Sequence, residues 1–472
     1  MRDVYVVGVY TSKFGKHLDK SIKDLTAQAV EGVLRDASID KSALESAWFS
    51  NAGWGFMSFQ HCIRGQVALR PIGIDAIPIT NVENACASGS TAFHGAWKDV
   101  ASGLYDVSLA VGAEKIYQKN KYAVFAGFIA GTDVEFLARE VERLQENAFA
   151  AQPIAGERAP RLPPAGNKRK HKTLRERLLD LRDQAVVGIQ LGETLGYDTL
   201  RTVVGVQRGG AKRKKGGGEH SPFMDVYAYK ARQHMAKYGS TARQLAVIAS
   251  KSHWHSSMNP NAQYTFEVSV DQVLADRVVA PPLTRAMCAP IGDGAAAAIV
   301  MSEAAVDRLG LRSRAVRVRA SVLGSGRARG VDEPDIGERL AKLAYERAQV
   351  SPKDISFVEL HDATAFGELH QTEALGFFEA GTGGLHAERG VTTLGGALPV
   401  NPSGGLLSRG HPIGASGLSQ LHELVTQLRG EAGKRQVEGA RIGLAENGGG
   451  ALGEEEAAMC IHILERPAKV SS

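Results

Sequence analysis

Apolar positions along this chain follow two rhythms, and the same succession of rhythms occurs twice. Val4–Val9 is a β-branched run that predicts a buried strand, and an amphipathic helix is expected from about Ser21 to Ala37. Ala47-Trp48-Phe49-Ser50 and Ile77–Val82 read as strands. Gly89–Ser102 carries Ala92, Ala96 and Val100 at a spacing of four and predicts a helix, with Val107–Val111 as the next strand. This βαβαβ order implies parallel pairing under helical cover.

A second copy opens near Arg317–Leu323. Its helix is expected at Ile336–Gln349, a strand at Phe357–Leu360, a helix at Gly414–Leu428 and a strand at Ile442–Leu444. The first helix ends in Ile39-Asp40-Lys41-Ser42-Ala43-Leu44 and the second in Val350-Ser351-Pro352-Lys353-Asp354-Ile355. Placing Ala87-Ser88-Gly89 on Ala415-Ser416-Gly417 brings His94 onto His422. A repeat this long indicates a duplicated domain rather than a solenoid.

Between the copies lies a departure, roughly Tyr117 to Gly239, with Pro163-Pro164 and the basic runs 168–172 and 212–215. It reads as an inserted loop domain, followed by a helix over Tyr227–Tyr238 and a strand at Ala295–Val300 returning to the first copy's sheet. The division expected is 1–117 with 240–305, then 118–239, then 306–472.

Charge changes this picture only locally. The net charge is +5, yet residues 157–219 hold fifteen Lys or Arg against seven Asp or Glu. The remainder is therefore slightly acidic, which argues against a general nucleic-acid binder and for a polyanionic ligand at the insertion. Four cysteines in 472 residues make no disulfide framework, and no Cys-x-x-Cys spacing marks a metal site. No metal, membrane span or signal segment is expected, and a cytoplasmic location fits.

Three residues carry candidate chemistry. Cys86 sits at a strand-to-helix turn, where unpaired N–H groups and the helix dipole favour thiolate, the reactive form. Small neighbours, Ala87, Ser88 and Gly89, leave room for an acyl group; the bland alternative is a small buried residue. His411, between Gly410 and Pro412, lies at the matching turn of the second copy and suits a proton acceptor or oxyanion donor. His361 ends a second-copy strand, where ligands bind in open α/β sheets. A helix-capping loop histidine and a structural histidine are the competing readings for these two.

Asn84-Ala85-Cys86-Ala87-Ser88-Gly89, Asp293-Gly294-Ala295-Ala296-Ala297, His361-Asp362, Asn401-Pro402-Ser403-Gly404-Gly405 and Gly410-His411-Pro412-Ile413-Gly414-Ala415-Ser416-Gly417 together resemble the thiolase superfamily. His361-Asp362 and Glu446-Asn447-Gly448-Gly449-Gly450 are most similar to the sterol-carrier-protein-type thiolases. The resemblance implies an α/β fold of duplicated βαβαβ halves, five-layered α-β-α-β-α, with an inserted loop domain. It implies acyl transfer from a 3-oxoacyl-CoA, or the reverse Claisen condensation, through a thioester on Cys86. His411 would activate Cys86, and His361 and His411 would surround the thioester oxygen. Cys86 N–H and a glycine of Gly448–Gly450 would form an oxyanion hole, with Asn447, Gly449, Gly450, Ser403 and Gly404 on the substrate side.

The resemblance further implies coenzyme A as substrate rather than a resident cofactor. Lys168, Arg169, Lys212 and Arg213 are candidate contacts to its phosphates. A homodimer, and a small zinc-ribbon and OB-fold partner subunit, are implied in the same way.

One departure matters. Thiolases generally carry a second cysteine as acid/base, in the late glycine-rich loop or directly after His-Asp. This chain has Glu446-Asn447-Gly448 and Ala363 there, and Cys288 reads as structural. Proton transfer at carbon then falls to His361, His411 or a partner group, with His361 the expectation. A carbon–carbon lyase of the steroid side-chain kind and a non-catalytic acyl-CoA-binding subunit are the alternatives; an intact Cys86 counts against the first, and Cys86, His361 and His411 retained together count against the second.

Overall fold

The computed structural model describes residues 2–118, 124, 127–135, 221–330, 332–453 and 455–466. Residues 127–135 belong to a separate unit and contain one short turn of helix, Ile129–Gly131. The rest form the larger unit described below.

Nine strands make its main sheet: β1 (Val4–Thr11), β2 (Ser46–Ser50), β3 (Ile79–Val82), β4 (Val107–Glu114), β5 (Gly294–Ser302), β6 (Val316–Ser325), β7 (Phe357–Glu359), β8 (Ile442–Gly449) and β9 (Ala458–Glu465). Their order is β3-β2-β4-β5-β1-β6-β9-β8-β7. The duplication is legible in that order. β3-β2-β4-β5-β1 is mirrored by β6-β9-β8-β7, with a single Val358–Val400 bridge where a fifth strand would lie. The halves meet where β1 and β6 share two residue pairs, Tyr5–Arg317 and Val6–Val316.

Pairing departs from the all-parallel expectation. Only β2–β3, β2–β4 and β7–β8 are parallel. β5 enters between β1 and β4 antiparallel to both, and β9 does the same between β6 and β8. Each of these late strands arrives from the opposite end of the sheet, so it closes its half without a crossover helix.

Helix α1 (Ile22–Ala37) is started by a capping box between Ser21 and Asp24 and lays Leu25, Ala29, Val30 and Val33 on the outer face of the first half. Helix α5 (Ile336–Ala348), capped by Asp335 and Glu338, covers the second half in the same way through Ile336, Leu340 and Ala344. Between the halves lie α2 (Ser88–Ser102) and α7 (Ile413–Arg429). Their apolar faces share one core with Val4, Val6, Ala110, Ala298, Val316 and Ala445, residues of both halves. The result is the five-layered α/β arrangement implied by the sequence motifs.

Glycine lets the two central helices approach at the N-terminal ends that carry the site. A Cβ at Gly89 would lie 3.1 Å from the Gly414 carbonyl oxygen, and one at Gly417 only 2.2 Å from Ser90 Oγ. The aligned glycines of the two copies are therefore the crossing point. Helices α3 (Pro222–Tyr238), α4 (Ala242–Ser257) and α6 (Ala365–Ala374) build a further apolar cluster around Ala231, Leu245, Ile248, Phe366 and Leu369. Helix α3 thus packs with the larger unit although it lies inside the span 118–239. Among the described residues no helix is long and apolar enough to cross a membrane.

Candidate active site

Strand β3 ends at Val82, and the chain turns sharply into α2. Ala85 takes a left-handed conformation, φ 46°, which is costly for a residue with a Cβ. The turn is held by Ser88, whose hydroxyl donates to the Ala85 carbonyl at 2.6 Å and accepts from Asn84 N–H at 2.9 Å. Cys86 stands at its apex, half-buried. On the other side of the pseudo-twofold, His411 follows Gly410 and precedes α7. Its Nε2 lies 3.2 Å from Cys86 Sγ.

The tautomer of His411 follows from its other nitrogen. Nδ1 is 2.7 Å from Ser416 Oγ, and the Ser416 hydroxyl donates its only proton to the Pro412 carbonyl at 2.9 Å. Ser416 must then accept from Nδ1–H, which leaves a lone pair on Nε2 facing the thiol. Burial, with His361 and Arg409 nearby, holds this imidazole well below its ordinary pKa. Burial first, then the carboxylates of Glu114 and Glu83, push the Cys86 thiol up to about 12. The resting pair is therefore a neutral thiol and a neutral imidazole. The thiolate expected from the helix end alone does not accumulate, because desolvation and two acids outweigh the dipole.

His361 joins them. Its ring centroid is 5.2 Å from that of His411, edge to face, and ligand atoms of Cys86, His361 and His411 all lie within 4.8 Å of one another. Burial lowers its pKa to about 4. Asn447 Nδ2 is 2.9 Å from His361 Nδ1, and Glu446 Oε2 accepts the His361 backbone N–H at 3.0 Å. Gly449 presses on the nucleophile turn: a Cβ there would be 2.8 Å from Cys86 N and 2.4 Å from Ala87 N. Two backbones are thus brought together as an oxyanion hole requires, and only glycine permits it. Gly450, at φ 68°, follows immediately.

Ser403 and Gly404 are buried away from this chemistry. Ser403 donates to Glu359 Oε2 at 2.7 Å and accepts from Arg409, and a Cβ on Gly404 would clash with Ser256. They shape the loop leading to His411. Asp362 is likewise structural in its contacts, taking the Leu406 N–H at 2.6 Å on Oδ1. Ala363 is confirmed beside it without a thiol, and Cys288 hydrogen-bonds the Thr284 carbonyl at 3.4 Å. Lys168, Arg169, Lys212 and Arg213 lie outside the described residues.

Three contributions to the site were not read from the motifs. Glu114, fully buried, accepts from Asn51 Nδ2 and from the N–H groups of Ala52, Gly53 and Gly414, all at 3.0–3.1 Å. A first-half strand end thereby anchors the first turn of the helix behind His411. Its only sequence signal is an acid closing an otherwise apolar strand. Ser416 stands within the Gly410–Gly417 motif and the repeat alignment, but neither shows that it fixes the His411 tautomer. Tyr227 on α3 is coupled to the site electrostatically: burial, then Glu456 and Cys86, raise its phenol well above the usual range.

A cysteine on one central helix and a histidine on the other, at the crossing of duplicated α/β halves, define a thiolase-type protein. Family profiles agree, "Thiolase, N-terminal domain" matching residues 4–136 and "Thiolase C-terminal domain-like" matching 337–465. The chain belongs to the thiolase family. It is 34% identical to an acetyl-CoA acetyltransferase of Methanothermobacter thermautotrophicus over 99% of this chain and 100% of that one. It is 33% identical to human sterol carrier protein 2, covering 95% of this chain and 70% of the relative. With the benzoylsuccinyl-CoA thiolase subunit BbsB of Thauera aromatica it shares 32% over 93% and 92% of the two chains. In fold it is similar to an Ltp2-ChsH2(DUF35) aldolase, TM-score 0.67 at 18% identity, and to human mitochondrial 3-ketoacyl-CoA thiolase, TM-score 0.59 at 16%. Each likeness covers 99% of this chain and 99% of the other.

Proposed function

We propose that the protein is an acyltransferase that cleaves a 3-oxoacyl-CoA by thiolysis, or runs the reverse condensation, through an acyl thioester on Cys86. The observation that carries this reading is the 3.2 Å contact between His411 Nε2 and Cys86 Sγ, with the lone pair fixed on Nε2 by Ser416. His411 takes the thiol proton as sulfur attacks the keto carbon and a C–S bond forms. The oxyanion is met by the N–H groups of Cys86 and Gly449. Its collapse breaks the bond between the α- and β-carbons and leaves the electron pair on the departing acyl-CoA as an enolate. His361, donating from Nε2, faces that enolate oxygen, and the proton held on His411 is returned to the α-carbon. Coenzyme A then attacks the acyl-Cys86 thioester, gives its thiol proton to His411, and the released Cys86 sulfur recovers it.

This scheme answers the missing second thiol by letting one histidine serve both halves of the cycle. It moves proton transfer at carbon from His361, the expectation from sequence, to His411. The bond from Asn447 supports that choice, since it leaves His361 as a donor. Losing one oxyanion donor typically costs about 2.7–4 kcal/mol of barrier.

Coenzyme A phosphates on Lys168, Arg169, Lys212 and Arg213, the domain division given above and a cytoplasmic setting are parts of the same proposal. So is a homodimer: β3 lies at the open end of the sheet, where an unpaired strand edge invites a second copy. BbsB is named as a subunit and the Ltp2 structure as a complex, which supports a partner subunit here. The lyase reading draws on that Ltp2 likeness, which concerns fold alone. Incubation with candidate 3-oxoacyl-CoAs followed by mass spectrometry separates the two. An acyl adduct on Cys86, absent in Cys86→Ala, supports transfer; turnover that persists in Cys86→Ala overturns it.

A further inference from the structure

We propose that Ser90 and Asn447 act as a pair of positioning residues that fix the tautomer of His361, so that its Nε2 carries the proton and serves the Cys86 cleft as a donor. This rests on the reading of His361 as an oxyanion donor and names what makes it one.

Two polar atoms near the site are orphaned. Ser90 Oγ, on the nucleophile helix α2, and Asn447 Oδ1, on β8, are both buried and without a hydrogen-bond partner. Such groups are costly unless they are satisfied. They are also neighbours. The point where a Cβ of Gly417 would stand is 2.2 Å from Ser90 Oγ and 2.5 Å from Asn447 Oδ1. One is a hydroxyl with a proton to give and the other a carbonyl oxygen able to take it. Turning the Ser90 hydroxyl toward Asn447 would let it donate to Oδ1 across the space beside Gly417.

Closing that bond decides which way the Asn447 amide faces. With Oδ1 turned to Ser90, Nδ2 faces His361 Nδ1, which is the 2.9 Å contact observed. An NH2 group can only donate, so Nδ1 must accept and the ring proton resides on Nε2. The opposite amide orientation would make the Ser90 hydroxyl the acceptor of an NH2, leave its own buried proton without an acceptor, and put a carbonyl oxygen against His361 Nδ1. Nε2 would then hold a lone pair and offer nothing to a developing enolate oxygen. The link crosses the molecule from the helix of Cys86 to the strand end bearing His361, so the two sides of the site are set together.

The test is the tautomer itself. Protein labelled with 15N at histidine is observed through long-range proton–nitrogen correlations near pH 7.5, with His361 assigned by its loss in His361→Gln. The expected wild-type pattern is an unprotonated Nδ1 and a protonated Nε2. Asn447→Asp, whose carboxylate only accepts, is expected to reverse it and to lower turnover by about 100- to 1,000-fold, the loss of one oxyanion donor. Ser90→Ala removes only a hydroxyl and is expected to give a mixed tautomer, which keeps the test available if Asn447→Asp does not fold. A wild-type His361 protonated on Nδ1, or a pattern unchanged in both variants, overturns the proposal. A pattern as expected together with full turnover in His361→Gln leaves the tautomer assignment standing and removes the donor reading on which its purpose rests.

Discussion

His411 and Cys86 face each other as an uncharged pair, Nε2 to Sγ at 3.2 Å, although they stand 325 residues apart at the ends of two different central helices. Their geometry depends on the glycine crossing of α2 and α7 and on Glu114, which reaches from the first half to hold Gly414 N–H at 3.1 Å. Neither residue is reactive by its own pKa. Sulfur becomes a nucleophile only as the proton moves to His411.

His411→Ala is therefore expected to lower both acylation and turnover by about 100- to 10,000-fold, the usual range for removing a positioned general base. His411→Gln is expected to do no better. Single-turnover acylation of Cys86 followed by mass spectrometry measures the effect directly. Acylation within tenfold of wild type would show that another group takes the thiol proton.

The pH profile gives an independent check. Burial holds His361 at about 4 and His411 well below its ordinary value, so both stay neutral throughout the physiological range. kcat/KM is expected to be flat from about pH 6 to 7, below the ionisation of Glu446 beside His361, with no limb near 6.5, the value of an unperturbed histidine. On the acid side activity should fall only below that range, where the imidazole of His411 becomes protonated and can no longer accept. A limb centred between 6 and 7 would mean that His411 titrates as a solvated histidine and that the buried neutral pair is wrong.

Much of this was legible in the chain, and the limits have physical causes. Strand and helix positions followed from apolar spacing, but several strands run further than that spacing shows. β4 continues through Glu114 and β8 through Asn447 and Gly449. Polar or glycine residues at strand ends break the hydrophobic rhythm where the chain turns from packing to chemistry. Cys86 and His411 could be paired because the duplication places their turns at matching points, and His361 joined them as the residue at the carboxyl end of a second-copy strand. The roles of Glu114, Ser416 and Ser90 could not be read, since each depends on which side chain or backbone group the fold sets beside it: Gly414 N–H for Glu114, His411 Nδ1 for Ser416, Asn447 Oδ1 for Ser90. Antiparallel β5 and β9 were invisible for a similar reason: direction within a sheet depends on where the preceding connection ends.

Gly417→Ala tests the crossing. Its Cβ would stand 2.2 Å from Ser90 Oγ and 2.5 Å from Asn447 Oδ1, with Ser90 N equally near. Backbone lies on one side, so the clash is not relieved by a side chain swinging away. Destabilisation of about 1–3 kcal/mol is expected from overpacking, with loss of activity larger than the loss of folded protein. Thermal unfolding and thiolysis measured on the same sample decide this. A variant as stable and as active as wild type would mean that the helices have slack at this point.

Glu446 offers a signed test of stability. Burial raises its pKa to about 8 in the folded chain, while one oxygen takes the His361 N–H and the other has no partner. The unfolded carboxyl ionises near 4.3. Between those values the folded state holds a proton that the unfolded state has released, so this residue makes stability fall as pH rises from about 4.3 to 8. Above about 8 both states are ionised and the contribution is constant. Glu446→Gln removes it. The difference in unfolding free energy between variant and wild type is expected to grow in the variant's favour across that window, by at most about 1.4 kcal/mol per pH unit, and then to level off. A difference independent of pH would show that Glu446 ionises in the folded chain as it does in water.

Zinc ions should inhibit this enzyme reversibly. Cys86, His361 and His411 present a thiol and two neutral imidazoles whose ligand atoms lie within 4.8 Å of one another. Tetrahedral zinc with Zn–S near 2.3 Å and Zn–N near 2.0–2.1 Å needs ligand separations of about 3.3–3.6 Å, a small adjustment from that spread. Depressed histidine pKa values help: His411 offers its Nε2 lone pair directly, His361 binds once its proton shifts from Nε2 to Nδ1 as the Asn447 amide turns over, and neither neutral ring carries a net proton for the metal to displace. The thiol does, so inhibition is expected to strengthen as pH rises, by up to tenfold per unit. Inhibition by zinc chloride, reversed by a chelator and accompanied by protection of Cys86 from iodoacetamide, is the measurement. His361→Ala should weaken it while leaving the thiol accessible to iodoacetamide. If zinc fails to protect Cys86, or protects the His361 variant equally well, the three side chains do not converge on one ion.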